Sequence, residues 1–273
     1  YALLVGISEY QDLGISDLLY AAKDAEVLGQ CLEDDCGFDD VNVLVAREGG
    51  DEVTSGLIGQ QLDRIAADID SDDTFLFYFS GHGVHPGGKS FLLPSDAAAD
   101  SPEFGLPIGA LKKRLARVRC AQHVLIYDCC RSDSLAAKGE AEALLSKDLV
   151  AELAADSGGA PTTCTMFSCS PGQCSFEWQS KGHGVFTWYL LEGLKREGWS
   201  EGQLMLQQVD SYVKEKVVDW SSKLGREQAP WSELSGSSGS LATVVLAERV
   251  ETNQGRVQPL EPSPSSSPDV AID

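Results

Sequence analysis

Short apolar runs alternate along this chain with stretches whose apolar residues recur every three or four positions. The runs at 1–7 (YALLVGI), 41–46, 73–80 and 123–128 read as buried strands. The stretches 17–35, 52–69 and 107–118 read as helices, and in the second Leu57, Ile58, Leu62, Ile65 and Ile69 fall on one face. Strands that alternate with helices predict a mostly parallel sheet covered on both faces. Residues 133–162 break the pattern, being rich in Ala, Glu, Asp, Ser and Gly, and are expected to form a partly helical, partly mobile linker. Strand character returns at 163–170, and helical patterns follow at 184–198 and 203–220. The last of these carries Leu206, Val209, Val213, Val217 and Trp220 on one stripe, and 241–248 closes as a strand. From 251 to 273 the chain carries Pro259, Pro262, Pro264 and Pro268 among serines; it is expected to be a disordered linker to something further on.

Composition narrows the function classes. A chain of 273 residues with 42% hydrophobic content can bury a sizeable core. The formal net charge is -21, which argues against nucleic acid and anionic membranes as partners and favours basic ones. No apolar stretch approaches the ~20 residues of a membrane span. The chain opens on Tyr1 without a Met and reads as an excised or processed piece. The cysteine count is 8, with no Cys-x-x-Cys pair, and the spacing of Cys164, Cys169 and Cys174 is too loose for a metal site. Reduced cysteines and a cytoplasmic location are expected.

In an open parallel sheet, functional groups gather at the carboxyl ends of the strands. Two strand ends stand out: Ser80-Gly81-His82-Gly83, and the stretch Asp128-Cys129-Cys130. If pairing persists to the strand ends, alternation puts Ser80 and His82 on one side and Asp128 and Cys130 on one side, with Cys129 packed inward. A histidine beside a cysteine is the usual way to make a thiolate nucleophile near neutral pH. A lone His or Cys is more often structural, but that bland reading weakens when both end successive core strands. His183, in a second His-Gly pair, opens a helix after a polar loop and reads as structural, as do His85 and His123. Trp178, Trp188 and Trp231 fit either a cleft wall or core packing, and Ser168-Cys169-Ser170 leads toward the same sheet edge.

These motifs resemble the caspase-like cysteine peptidases of the metacaspase, paracaspase and orthocaspase group. FYFSGHG is similar to their His motif, YDCCRS to their Asp-x-Cys-x-Ser motif, YAAKDA (20–25) to their early acidic segment, and REQAPW (226–231) to a late Gln-x-Pro stretch. The resemblance runs from Tyr1 to about Glu248. It implies a caspase-like three-layer α/β/α sandwich with a mostly parallel sheet of about six strands. It also implies one peptidase domain over 1–250, with a large-subunit-like part (1–132), the linker 133–162 and a small-subunit-like part (163–250).

The resemblance implies a mechanism too. Cys130 would attack the peptide carbonyl and His82 would carry the proton to the leaving amine, with the backbone N–H groups of Gly83 and Cys130 as oxyanion hole. Asp24, Ser80 and Asp128 match the positions with which metacaspases and orthocaspases recognise a basic residue before the scissile bond. Cleavage after Arg, with Lys weaker, is therefore implied, on protein substrates with exposed basic sites. A set of calcium ligands looks incomplete even with Asp96 and Asp100, so no metal or other cofactor is expected. A regulatory domain or subunit beyond the tail is the further partner implied. The alternative is a catalytically silent scaffold that acts by binding; its mark would be loss of His82 or Cys130, and both are present.

Overall fold

Six consecutive buried residues, Ala2–Ile7, form strand β1, which packs on both faces as an interior parallel strand must. In the computed structural model, residues 1–101, 104–130, 147–155, 158–236 and 241–248 are described, and the side chain of Cys130 is not. After β1 come α1 (Ala21–Asp34), β2 (Val41–Ala46), α2 (Ser55–Asp68) and β3 (Thr74–Val84). Then follow β4 (Phe91–Leu92), β5 (Leu106–Pro107), α3 (Ile108–Leu115), β6 (Gln122–Cys130), α4 (Lys147–Ala154) and β7 (Thr162–Phe167). A short hairpin of β8 (Glu177–Trp178) and β9 (His183–Gly184) leads into α5 (Val185–Glu192). The chain continues through β10 (Trp199–Ser200), β11 (Gln203–Met205), α6 (Leu206–Lys223), β12 (Trp231–Gly236) and β13 (Val245–Glu248).

The main sheet has the order β12-β7-β6-β3-β1-β2, with β12 antiparallel and the remaining pairs parallel. The alternation of β3 divides the core. Phe75, Phe77 and Phe79 face a layer built from Ile58 and Leu62 of α2, Leu111 and Leu115 of α3, and Leu149 and Leu153 of α4. Leu76 and Tyr78 face the opposite layer, where Leu28 of α1, Phe186 and Leu190 of α5, and Val209 and Val213 of α6 pack. The result is the three-layer α/β/α arrangement that the sequence pattern implied.

Several elements differ from expectation, each for a local reason. α1 starts at Ala21 rather than 17, because the preceding residues are drawn into tie-downs: Leu18 N–H donates to the Ser8 carbonyl and Leu19 N–H to Glu177. The helix expected over 184–198 stops as α-helix at Glu192 and ends in a π-helical turn, Gly193–Glu197, where Val209 of α6 crowds Gly198. Gln203–Met205, expected to start a helix, pairs with β13 in a separate small sheet. The strand beyond β7 in the main sheet is β12, a polar edge strand without an apolar run. Within the expected linker, 147–154 is α4, with Leu149, Val150 and Leu153 buried. Residues 131–146 and the tail 251–273 lie outside the described residues. Among the described residues, no helix is long and apolar enough to cross a membrane.

Close approach fixes where α1 begins. A Cβ on Gly6 would sit 2.3 Å from the Ala21 carbonyl and 2.8 Å from the Ala25 methyl, so only glycine lets the first turn of α1 rest on β1. Gly6→Ala is expected to cost about 1–3 kcal/mol through this overpacking, read as a lower urea midpoint at unchanged slope.

Candidate active site

The site grows from the ends of β3 and β6. Their parallel pairing runs without a slip to the last residues: Ser80 faces Asp128, Gly81 faces Cys129, and His82 faces Cys130. The condition on which the sequence argument rested is therefore met in the backbone. Cys129 is buried in the α2/α3/α4 layer, and burial, with the Asp128 charge adding, pushes its thiol far above the ordinary range. An un-ionised buried thiol is a poor nucleophile.

His82 is buried and held on three sides. Its ring stacks on Tyr10 at 5.1 Å between centroids, and its backbone N–H donates to the Tyr10 hydroxyl at 2.9 Å. Its Nε2 lies 2.8 Å from the Ser16 carbonyl. A carbonyl only accepts, so Nε2 carries the hydrogen, and in the neutral ring Nδ1 is the acceptor. The glycines beside it have packing reasons of their own. A Cβ on Gly81 would meet the Phe79 ring at 2.9 Å and the Tyr10 hydroxyl at 3.2 Å; one on Gly83 would meet Leu149 of α4 at 2.9 Å. His82 turns its N–H to Tyr10 and its C=O to Leu93 N–H, and alternation turns the N–H of Gly83 to the opposite side.

Close to these strand ends lie two buried carboxylates. Asp24, from the first turn of α1, accepts from His183 Nδ1 at 2.6 Å and from the Gly184 N–H at 2.8 Å. Asp128, from β6, accepts from the hydroxyls of Ser175 and Thr187, each at 2.8 Å. Gly184 lies between them: a Cβ there would stand 3.0 Å from Asp24 Oδ2 and 3.3 Å from Asp128 Oδ2. Both aspartates are at most 2% exposed. Burial pushes Asp24 up to about 6 against the lowering effect of its two hydrogen bonds, and the Asp128 charge adds to the rise. Burial likewise raises Asp128, against its hydroxyl donors. Ser80 is buried here too and bonds the phenol of Tyr78.

The sequence reading named Asp24, Ser80 and Asp128 but missed what holds them. His183, read as structural, is the partner of Asp24; its recurrence in a second His-Gly pair was the available signal. Thr187, within α5, links Asp128 to the Tyr78 hydroxyl, also at 2.8 Å. Gln228, in the REQAPW stretch, donates to Ser175 Oγ at 3.1 Å and to the Ser168 carbonyl at 2.9 Å, and so braces the donor of Asp128. Glu177 accepts from Leu19 and Tyr20 N–H at the start of α1, close enough to Asp128 to feel its charge. Trp178 lines an open cleft of about 690 Å³ with Trp220, Lys223 and Arg226, whereas Trp231 stacks on Phe167 at 4.7 Å against the core. Among the described residues, no group of three or more His, Cys, Asp or Glu side chains is placed to hold a metal ion.

Residues 1–239 match the family described as Caspase domain. No curated protein matches the sequence. Among solved structures, protein GSU0716 from Geobacter sulfurreducens is similar with a TM-score of 0.60 at 17% identity, over 90% of this chain and 98% of that one. The Drosophila initiator caspase Dronc aligns with a TM-score of 0.53 at 13% identity, over 85% of this chain and 78% of that one. Caspase-1 from Spodoptera frugiperda aligns with a TM-score of 0.52 at 14% identity, over 92% and 90% of the two chains. At these identities the likeness shows a shared fold.

The burial of Asp128 has a consequence for stability. Its folded-state pKa is raised, so the folded protein pays an increasing cost of ionisation as pH rises above the unfolded-state value. Asn at this position keeps an acceptor and adds a donor without the charge. Asp128→Asn is therefore expected to be more stable than the native protein at pH 8, with the gain shrinking toward pH 4. Urea midpoints at the two pH values measure it, and a gain independent of pH would contradict a buried ionised carboxylate.

Proposed function

The chain belongs to the caspase-domain family, and from that membership we propose that it is a cysteine endopeptidase that cleaves after basic residues. Arg is preferred over Lys, and Cys130 and His82 form the catalytic dyad. The observation that carries this reading is the in-register approach of His82 and Cys130, with two buried carboxylates, Asp24 and Asp128, facing one another across Gly184.

In the proposed reaction, the Cys130 thiolate adds to the carbonyl carbon of the scissile peptide. The oxyanion takes hydrogen bonds from the N–H groups of Gly83 and Cys130. Preorganised donors of this kind are worth roughly 3–4 kcal/mol of barrier each. His82 Nδ1 takes the thiol proton and delivers it to the leaving amine, while the Nε2–H bond to Ser16 fixes the ring and supports its positive charge. Water, deprotonated by the same ring, then hydrolyses the thioester and returns Cys130.

Specificity in this reading is electrostatic. Two carboxylates in one buried pocket repel each other unless a cation joins them. A guanidinium is planar and forked and reaches both, whereas an ammonium is a point charge. Ser80 completes the set. Protein substrates with exposed Arg or Lys sites are the proposed partners, acted on without a calcium requirement, in the cytoplasm and under control of a region beyond 273. The acidic surface suits basic protein segments rather than nucleic acid or membrane.

The decisive experiment is a panel of fluorogenic peptides that differ only in the residue before the cut. Arg-ended peptides should be cleaved fastest, Lys-ended ones more slowly and Asp-ended ones not at all. Cys130→Ala should abolish turnover, while Cys129→Ser keeps most of it. Preference for the Asp-ended peptide, or turnover that follows Cys129, would sink the assignment.

Gly184 provides a steric counterpart. Its backbone lies at φ -62 and ψ 143, which alanine adopts freely, so a substitution acts through space alone. Gly184→Ala places a methyl between the two carboxylates and should lower kcat/KM for Arg-ended peptides by about one to two orders of magnitude, the scale of a tight overpacking. An unchanged kcat/KM would mean that the substrate side chain binds elsewhere.

A further inference from the structure

The two pocket carboxylates are held differently. Asp128 rests on neutral donors, the hydroxyls of Ser175 and Thr187, themselves braced by Gln228 and Tyr78. Asp24 rests on a backbone N–H and on an imidazole, a partner that can carry charge. That imidazole is not a loose side chain. His183 is buried, its backbone pairs with Trp178 in the β8/β9 hairpin, and its ring lies 5.6 Å from that of Trp188. The next residue, Gly184, lies against both carboxylates, so His183 meets Asp24 beside the point where the two acids approach each other.

The other charged groups nearby have different partners. Lys23 of α1 gives its ammonium to the Gly182 carbonyl at 2.8 Å and lies exposed. The Lys181 ammonium lies over the Trp188 ring, 4.6 Å from its centroid. Glu177 of β8 caps the backbone before α1, and the Tyr78 phenol of β3 bonds Thr187. Across the pocket, Asp128 of β6 adds negative charge. Of the groups facing Asp24, His183 is therefore the one that can offset its charge from within the pocket.

We propose that His183 is the resident counter-ion of the basic pocket, a positioning residue that holds Asp24 through a proton shared by the pair until a substrate guanidinium replaces it. The inference rests on the basic-pocket reading and deepens it. Charge balance gives its logic. With the proton present, Asp24 and His183 together carry no net charge. An entering guanidinium brings one positive charge, and two cations on one carboxylate repel. If the proton leaves to solvent as the guanidinium binds, the pair and its ligand again carry no net charge. The rise of Asp24 to about 6 places the exchange near neutral pH. Below that range protons compete with the substrate, and above it they do not, so guanidinium affinity rises with pH.

The test uses the native full chain labelled with ¹³C and ¹⁵N in its 4 histidines, with agmatine as the guanidinium probe, near pH 6. His183→Gln assigns the resonance, and His85→Gln narrows the assignment if that variant does not fold. Calorimetry measures binding independently. Saturation with agmatine should move the His183 resonance from the imidazolium toward the neutral position while that of the remote His123 stays in place. The agmatine Kd should fall by up to about tenfold per pH unit across the transition, the limit for one released proton. Agmatine that binds while His183 stays unmoved and Kd stays flat with pH would overturn the counter-ion role and leave the basic pocket standing. Absence of agmatine binding at any pH would overturn the basic pocket, and this inference with it.

Discussion

The unbroken parallel register between β3 and β6 is the constraint from which the site follows. It runs from Thr74 opposite Gln122 to His82 opposite Cys130. A slip of one residue would send every side chain at the strand ends to the opposite face. His82 would lose Ser16 and Tyr10, and Asp128 would enter the apolar layer that now holds Cys129. The register is secured well before the site, where Phe75, Phe77 and Phe79 lock one face and Leu76 and Tyr78 the other. Core packing thus fixes the alignment that the chemistry would use.

The pocket shows the opposite economy. Asp24 and Asp128 are buried at an energetic cost, and both are driven up in pKa by that burial. The surroundings offset part of it with donors from three separate places, the hairpin before α5, α5 itself and the loop after β7, braced in turn by Gln228 before β12 and Tyr78 of β3. Such an arrangement is poor for stability, and in the proposed reading a cationic side chain would offset the cost. The two carboxylates differ in their donors, hydroxyls for Asp128 and an imidazole with a backbone N–H for Asp24.

The elements that carry chemistry in the first half of the chain were legible because their signals are local. An apolar run that stops at Ser-Gly-His-Gly, and another that stops at Asp-Cys-Cys, identify strand ends by themselves. β12 was not legible. Trp-Ser-Glu-Leu-Ser-Gly has no apolar run, and as an antiparallel edge strand its place depends on β7 having an open side. The strand at β11 was hidden because it is only 3 residues long and runs directly into α6, though it pairs with both β10 and β13.

The sequence by itself determined the layered α/β/α class and the two strand ends that meet, because periodicity and residue type act over a few neighbouring positions, whereas Asp24 and Asp128 were named together only through the family resemblance. Only the tertiary structure decided which groups hold those acids. Asp24 and His183 are 159 residues apart, and Phe176 and Gln228, which share a hydrogen bond, are 52 apart. No local pattern encodes such pairings. They arise because sheet order and helix packing bring the start of α1, the end of β6 and the start of α5 to one point, where a buried carboxylate must find a donor.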